Sequence, residues 1–161
     1  MNTYPWDLIN RVIAFFEQIP YSLIAFLARF SIAAVFWKSG QTKVDGFAVD
    51  IISGTFQLGE PKLAASTLPL FRSEYPVPLL PPEVAAHMAA FAEHFFPVLI
   101  LVGLATRFSA LALIGMTLVI QLFVYPDAYP THGTWLALLL LLVAKGPGRL
   151  SIDHLIARRY A

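Results

Sequence analysis

The sequence predicts an all-α membrane protein that is built as a bundle of four transmembrane helices. Of its 161 residues, 58% are hydrophobic and only 13% are charged, whereas a soluble domain is closer to half apolar and a quarter charged. The charged residues leave four long stretches almost free, and each approaches the roughly 20 residues that a helix needs to cross a bilayer. Open strands would leave their backbone groups unpaired in lipid, so we predict that all four stretches are helices.

These four predicted transmembrane helices belong to one membrane domain that covers residues 1–161. They span about residues 20–38, 84–104, 107–125 and 130–145. The last stretch is short, which favours a span with little tilt.

Two shorter helices are predicted to flank the bundle. Residues 5–19, PWDLINRVIAFFEQI, place apolar side chains on one face and polar side chains on the other, which is typical of an amphipathic helix lying in the membrane interface. The Gly-Pro-Gly run at 146–148 ends the fourth transmembrane helix. Ser151 can then cap a short C-terminal helix, IDHLIARRY, on the cytoplasmic side.

The basic residues predict the orientation of the chain. One set of loops and termini carries Arg11, Arg107, Lys145, Arg149, Arg158 and Arg159. The opposite side carries Lys38, Lys43, Lys62 and Arg72, mixed with Asp45, Asp50, Glu60 and Glu74. Because cytoplasmic loops are enriched in Lys and Arg, we expect both termini to be cytoplasmic.

Composition and motifs exclude several classes of function. The net charge of +1 provides no general basic field for nucleic acid. The absence of cysteine excludes disulfides and thiolate sites within the chain. Neither a glycine-rich nucleotide motif nor a nucleophile elbow is present. The first twenty residues do not read as a cleavable signal peptide.

The long connection between the first two transmembrane helices, about residues 39–83, is expected to be structured and to fold over the outer mouth of the bundle. Its first part, VDGFAVDIISGTFQL (44–58), is interpreted as a short re-entrant or interfacial helix. Its last part, YPVPLLPPE (75–83), cannot be regular helix because each proline removes a backbone donor.

Two charged residues fall near the middle of predicted transmembrane helices. Arg29 lies in the first helix and Glu93 in the second, and a charge at that depth costs about 3 kcal/mol. A count of about 1.5 Å per residue from the helix ends puts both at a similar depth. We therefore predict an Arg29–Glu93 ion pair, which would either only lock two helices together or take part directly in function.

Further polar side chains collect in the outer half of the predicted bundle. The candidate ligand pocket comprises Trp37, Lys38, Gly40, Lys43, His87, His94, Gln121 and His132. Each could be merely structural, since Trp37 and Lys38 suit a membrane interface and a lone histidine is usually a satisfied core residue. Their joint placement indicates a site, provided that Lys43 faces inward behind a turn at Gly40.

Two classes of cofactor fit such a pocket. A quinone-type ligand needs hydrogen-bond donors and a carboxylate that passes protons, which Lys43, His94 and Glu93 could supply beside nearby aromatic rings. A copper or other metal ion needs several ligands around one point. His87, His94 and His132 are weaker candidates for that role, because no His-x-x-x-His pair is present.

Four segments, taken in order and spacing, carry a recognisable pattern. They are ARFSIAAVFWKSGQTKVDGF (28–47), AEHFFPVLILVGLATRFSALAL (92–113), HGTW (132–135) and GPGRLSID (146–153). This pattern resembles the DoxX family of small membrane proteins. The family pattern maps onto Arg29, Gly40, Lys43 and Glu93, and onto a cytoplasmic motif of Thr106, Arg107, Gly148, Ser151 and Asp153.

The resemblance implies a small four-helix protein of the bacterial inner membrane. Family members are associated with quinone-linked oxidoreductase assemblies and with complexes that protect against oxidative stress. The runs YPVPLLPPE and VIQLFVYP look closer to a branch whose genes neighbour those of small metal-binding peptides, which implies a role in copper or other metal stress. The long connection at 39–83 departs from the family pattern.

Three functions follow as hypotheses. The chain is an accessory subunit of a redox system with a quinone-type pocket, a metal-stress component, or a non-catalytic scaffold whose basic cytoplasmic face docks a soluble partner. The expected partners are membrane lipid and a membrane or soluble redox or metal-handling protein, and a homo-oligomer is compatible with the sequence. An autonomous enzyme is the least favoured reading, because no self-contained catalytic machinery is visible.

Overall fold

The described part of the chain is mostly helical, with one two-stranded sheet. The computed structural model describes residues 5–78 and 80–160. The elements in chain order are α1 (Pro5–Glu17), α2 (Tyr21–Gln41), β1 (Val44–Asp50), β2 (Thr55–Leu63), α3 (Thr67–Ser73), α4 (Pro82–Val102), α5 (Thr106–Phe123), α6 (Tyr129–Lys145) and α7 (Ile152–Tyr160). Among the described residues, α2, α4 and α5 are long and apolar enough to cross a membrane.

Four helices pack side by side to form the bundle. In the order α2, α4, α5 and α6 each packs against the next, and α6 packs back against α2. Ile32, Phe36, Ile100, Leu113, Leu139 and Leu142 are fully buried between them. α6 has 17 residues and packs against α5 and α2, so it belongs to the bundle with the three longer helices.

The bundle has two ends of different construction. We call the end that carries β1 and β2 the hairpin end, and the end that carries α7 the C-terminal end. Gly103 stops α4 at the C-terminal end with a positive φ of 72°, while the N–H of Leu104 donates to the carbonyl of Leu99 at 2.9 Å. This left-handed cap closes one helix and lets α5 begin three residues later.

The amphipathic helix predicted at 5–19 is present as α1, which covers Pro5–Glu17. Its apolar side chains are exposed, and Trp6 keeps 71% of its surface accessible. The predicted C-terminal helix is also present as α7, and Ser151 Oγ accepts a hydrogen bond from the N–H of His154 at 3.2 Å.

The helix predicted for residues 44–58 is wrong, because this segment forms a β-hairpin. β1 and β2 are antiparallel, with Val49 opposite Phe56 and Asp50 opposite Thr55. In the turn, Asp50 Oδ1 accepts hydrogen bonds from the N–H groups of Ile52 and Ser53. The β-branched residues and the Asp-to-Gly turn, which favour a hairpin, outweigh the apolar content that suggested a helix.

Candidate functional site

A buried ion pair lies at the hairpin end of the bundle. Glu93 Oε2 is 2.7 Å from Nζ of Lys43, and the two side chains are only 3% and 8% accessible. Ser39 completes the cluster, since its hydroxyl donates to Glu93 Oε1 at 3.1 Å and accepts from Lys43 Nζ at 3.0 Å. Lys43 therefore faces inward.

The predicted Arg29–Glu93 ion pair is wrong, because the cation that pairs with Glu93 is Lys43 and not Arg29. Helical side chains lean toward the N-terminus of their own helix. Because α2 and α4 run in opposite directions, Arg29 leans toward the C-terminal end and Glu93 toward the hairpin end. Equal depth of the two Cα atoms therefore does not bring the charged groups together. Lys43 lies just beyond α2, at the end that Glu93 approaches.

Arg29 binds backbone carbonyls at the opposite end. Its guanidinium is buried and donates to the carbonyl oxygens of Leu101 at 2.8 Å and Ile100 at 3.4 Å. It also donates to the carbonyl oxygen of Leu150. These contacts tie α2 to the end of α4 and to the segment before α7, so Arg29 has a structural role here.

The residues of the predicted cytoplasmic motif also meet at the C-terminal end. Asp153 caps α5, because its two carboxylate oxygens accept the N–H groups of Ala105 and Thr106 at 2.8 and 2.9 Å. Arg107 Nε donates to the carbonyl of Val143 at 2.9 Å.

Gly148 belongs to the same end and fits closely against α2. A Cβ at this glycine would lie 3.0 Å from the Cβ of Ala25 and 3.1 Å from the Cα of Ser22. Its φ of +78° also favours glycine. The motif thus organises the connections between helices.

A second cluster anchors the hairpin to the bundle. Trp37 Nε1 donates to the carbonyl of Val49 at 2.8 Å, and the N–H of Val49 donates to Gln41 Oε1 at 2.7 Å. The amide nitrogen of Gln41 lies 2.8 Å from His94 Nε2, and His94 Nδ1 lies 2.7 Å from the carbonyl oxygen of Ala90. Since Gln41 must donate, His94 accepts at Nε2 and donates from Nδ1. Both ring nitrogens are used, which makes His94 a structural residue.

Gly40 permits the close approach of α2 and α4 at this cluster. A Cβ at this position would lie 2.9 Å from two ring atoms of His94 and 3.1 Å from Cβ of Glu93. Gly40 therefore serves packing rather than a chain reversal, because α2 continues to Gln41.

An apolar cavity of about 520 Å³ adjoins the buried ion pair. Its polar lining includes Ser39, Lys43, Glu93, Tyr75, Tyr125 and His132. Aromatic walls are supplied by Phe36, Phe71 and Trp135. Ala89 and Ala92 of α4 and Ala112 of α5 also line it, and these small side chains keep the space open.

His132 is held in one orientation at the edge of this cavity. Gln121 donates from its amide nitrogen to the carbonyl of Pro126 at 2.6 Å, so its oxygen faces His132 Nδ1 at 2.7 Å. A carbonyl oxygen can only accept, so Nδ1 carries the proton. Both residues belong to the predicted pocket. His132 lines the cavity, and Gln121 fixes the orientation of the His132 ring.

Tyr75 contributes a hydroxyl group to the same cavity. Burial raises the pKa of Tyr75. Tyr125 donates to the Tyr75 oxygen at 3.1 Å. Tyr75 therefore keeps its proton at neutral pH and can donate a hydrogen bond to a ligand.

The remaining predicted pocket residues lie elsewhere. Lys38 is exposed. His87 is exposed, and its Nδ1 lies 2.7 Å from the carbonyl of Glu83. His87 and His94 line a separate cavity of about 750 Å³ between the hairpin and α4, whereas His132 lines the first. Within residues 5–78 and 80–160, no group of three His, Asp or Glu side chains is placed to hold a metal ion.

Several residues of the cavity were missed in the sequence. Ser39 lies four residues before Lys43, a spacing at which side chains on a helix meet. Trp135 follows His132 by three residues and packs on its ring at 4.9 Å. Tyr75 gave no usable signal, because its proline-rich segment has no regular spacing.

Comparison with known proteins places the chain in a family. The family model described as DoxX matches residues 24–126, which is more than half of the chain. The chain belongs to the DoxX family. The match begins in α2 and ends just after α5, so it includes Glu93, Lys43 and Ser39.

An uncharacterized protein of Haemophilus influenzae (strain ATCC 51907 / DSM 11121 / KW20 / Rd) is 33% identical over 97 residues, which cover 55% of this chain. The matched region spans 64% of that relative. No solved structure matches the chain. With its apolar helices, this DoxX protein is a membrane protein whose helices contact lipid.

Proposed function

We propose that this DoxX protein is an accessory subunit of a membrane redox system and that its cavity binds a quinone-type ligand. The observation that carries the proposal is the 520 Å³ cavity itself, which joins an apolar, aromatic interior to a buried Lys43–Glu93 pair. Its volume lies in the usual range for small-molecule sites, about 300–1,000 Å³. A ring that carries oxygen atoms and a hydrocarbon tail matches this combination of surfaces.

The route into the cavity supports a lipid-soluble ligand. Met88 of α4 and Val119 of α5 line the cavity and are also exposed. In a membrane, this surface between α4 and α5 would face hydrocarbon. A ligand could therefore enter sideways from the bilayer and leave its tail there.

Binding of decylubiquinone to the purified full-length protein tests the proposal. Trp135 lines the cavity, so a bound quinone ring should quench its fluorescence in a saturable manner. Ala92→Phe should fill the cavity and weaken binding, whereas Ala137→Phe, on the exposed face of α6, should not. If both variants bind the quinone as the wild type does, or if no saturable quenching occurs, the proposed site is refuted.

The accompanying topology is a single domain with four spans in the bacterial inner membrane and with both termini in the cytoplasm. Helix α6 would cross with little tilt, since 17 residues extend about 25 Å. The apolar face of α1 would lie in the interface. Because the chain has no cysteine, single variants Ile52→Cys and Arg158→Cys can be labelled in spheroplasts with a membrane-impermeant maleimide. Ile52→Cys should react and Arg158→Cys should not, and the reverse pattern would refute this orientation.

A scaffold role is the second candidate, and α7 favours it. This helix exposes Leu155 and Ile156 beside Arg158 and Arg159, a combination that suits an acidic partner or anionic lipid. Arg158→Glu/Arg159→Glu should release a bound partner while leaving decylubiquinone binding unchanged. If the affinity-purified complex is the same with and without these substitutions, α7 is not the docking site.

A further inference from the structure

We infer that the cavity binds the reduced form of its ligand, a quinol with hydroxyl groups, in preference to the oxidised quinone. This inference rests on the proposed quinone-type ligand. It concerns the polar groups that remain for a ligand after the protein has satisfied its own hydrogen bonds. A quinone oxygen can only accept a hydrogen bond, whereas a quinol hydroxyl can both donate and accept one.

Lys43 has no proton left for a ligand. An ammonium group has three donors. One faces Glu93 Oε2 at 2.7 Å, one faces Ser39 Oγ at 3.0 Å and one faces the carbonyl of Ser39 at 3.4 Å. The Ser39 hydroxyl is itself committed, because it donates to Glu93. The two obvious donors of the cavity are therefore occupied inside the cluster.

The groups that remain are mainly acceptors. Glu93 lines the cavity, and its Oε2, which already faces the Lys43 ammonium at 2.7 Å, has a second lone pair that can accept a hydrogen bond. His132 donates from Nδ1 to Gln121, so in the neutral ring Nε2 is an acceptor. Tyr75 is the exception, but its hydroxyl can donate to either form of the ligand and does not discriminate between them.

The ligand form that can donate hydrogen bonds to these acceptors should bind more tightly. A quinol can donate to the Glu93 carboxylate and to His132 Nε2, whereas a quinone carbonyl placed there would oppose another lone pair. One buried acceptor left unpaired lowers affinity by about 10-fold or more. We therefore expect the protein to bind quinol at least about 10-fold more tightly than quinone. Such a preference would raise the reduction potential of the bound couple above that of the free couple.

Calorimetric titration of the full-length protein in detergent, under anaerobic conditions, tests the inference with ubiquinol-1 and ubiquinone-1. The expected result is tighter binding of ubiquinol-1 by at least about 10-fold. In His132→Leu the preference should shrink because quinol binding weakens while quinone binding is retained. Gln121→Leu should also reduce the preference, because it frees the His132 ring to take either tautomer.

The outcomes separate this inference from the proposed function. If both forms bind equally, or if ubiquinone-1 binds more tightly, the inference is overturned while the quinone-type site stands. If neither form binds, the proposed site and the inference fail together. Parallel weakening of both forms in His132→Leu and in Gln121→Leu, with the ratio unchanged, would show that these residues only support the fold and would also overturn the inference.

Discussion

Replacement of Gly40 by alanine provides a quantitative test of how α2 and α4 pack. The added Cβ would lie 2.9 Å from Cε1 and Nδ1 of His94 and 3.1 Å from Cβ of Glu93, whereas carbon contacts are optimal at about 3.5–4.0 Å. The helices or the ring must therefore move by about 0.5–1 Å. His94 cannot move freely, because Gln41 and Ala90 hold both of its nitrogens.

The expected cost follows from three contributions. Overpacking costs about 1–3 kcal/mol, and loss of one hydrogen bond of His94 costs about 1 kcal/mol more. Against this, alanine is favoured over glycine in a helix by about 1 kcal/mol. The net effect is a loss of about 2 kcal/mol in the free energy of unfolding, or about 4–8 °C in melting temperature for a chain of this size.

Thermal unfolding of the detergent-solubilised protein, followed by circular dichroism, measures this loss. Gly115→Ala and Gly133→Ala are matched controls, because a Cβ at either glycine meets nothing within 4 Å and both lie within helices. They should be neutral or stabilising. In a His94→Ala background, Gly40→Ala should lose most of its cost. If Gly40→Ala is as stable as the controls, the packing argument is refuted.

Three further predictions concern the polar groups. Lys43→Met should lower the free energy of unfolding by about 3–5 kcal/mol, because it leaves Glu93 buried without its cation. Lys43→Met/Glu93→Gln should recover part of this loss. Equal losses for the single and the double variant in unfolding experiments would contradict this. Asp153→Ala should cost about 1 kcal/mol by removing the cap of α5, and Asp153→Asn should cost less because one oxygen still accepts. The N–H groups of the hairpin turn, that of Ser53 first, lower the pKa of Asp50. Their stabilising effect is therefore complete above pH 3.8, the ordinary pKa of an aspartate, and is lost as the pH falls through the lowered pKa of Asp50. Hydrogen-exchange protection of the turn that stays constant far below pH 3.8 would contradict this.

The long helices could be predicted from the sequence because hydropathy reports directly on them. The first predicted span, 20–38, corresponds to α2 at Tyr21–Gln41. The apolar run ends at Lys38, but the helix continues to Gln41. It continues because Ser39 hydrogen-bonds to α4 and Gln41 hydrogen-bonds to β1. These partners are distant in sequence, so their effect on the helix end is invisible before folding.

The hairpin and the partner of Glu93 could not be predicted for different physical reasons. Residues 44–58 are apolar enough to suggest a re-entrant or interfacial helix, and only the turn-forming residues Asp50 and Gly54 favour a hairpin. The partner of Glu93 depends on the direction in which side chains lean, which a count of residues along the helix omits. Local turn geometry therefore decides the first case, and side-chain direction decides the second.

The contrast between the two ends of the bundle indicates where ligand chemistry can occur. At the C-terminal end, Arg29 and Asp153 bind backbone groups, so their charges serve to close helix ends. At the hairpin end, Glu93 and His132 present acceptor atoms beside a cavity. Glu93 also pairs with Lys43 and accepts from Ser39 within the protein, so a second lone pair of its carboxylate and Nε2 of His132 are the acceptors left for a ligand. Both acceptors match a ligand that donates hydrogen bonds to them, which is the property that separates a quinol from a quinone.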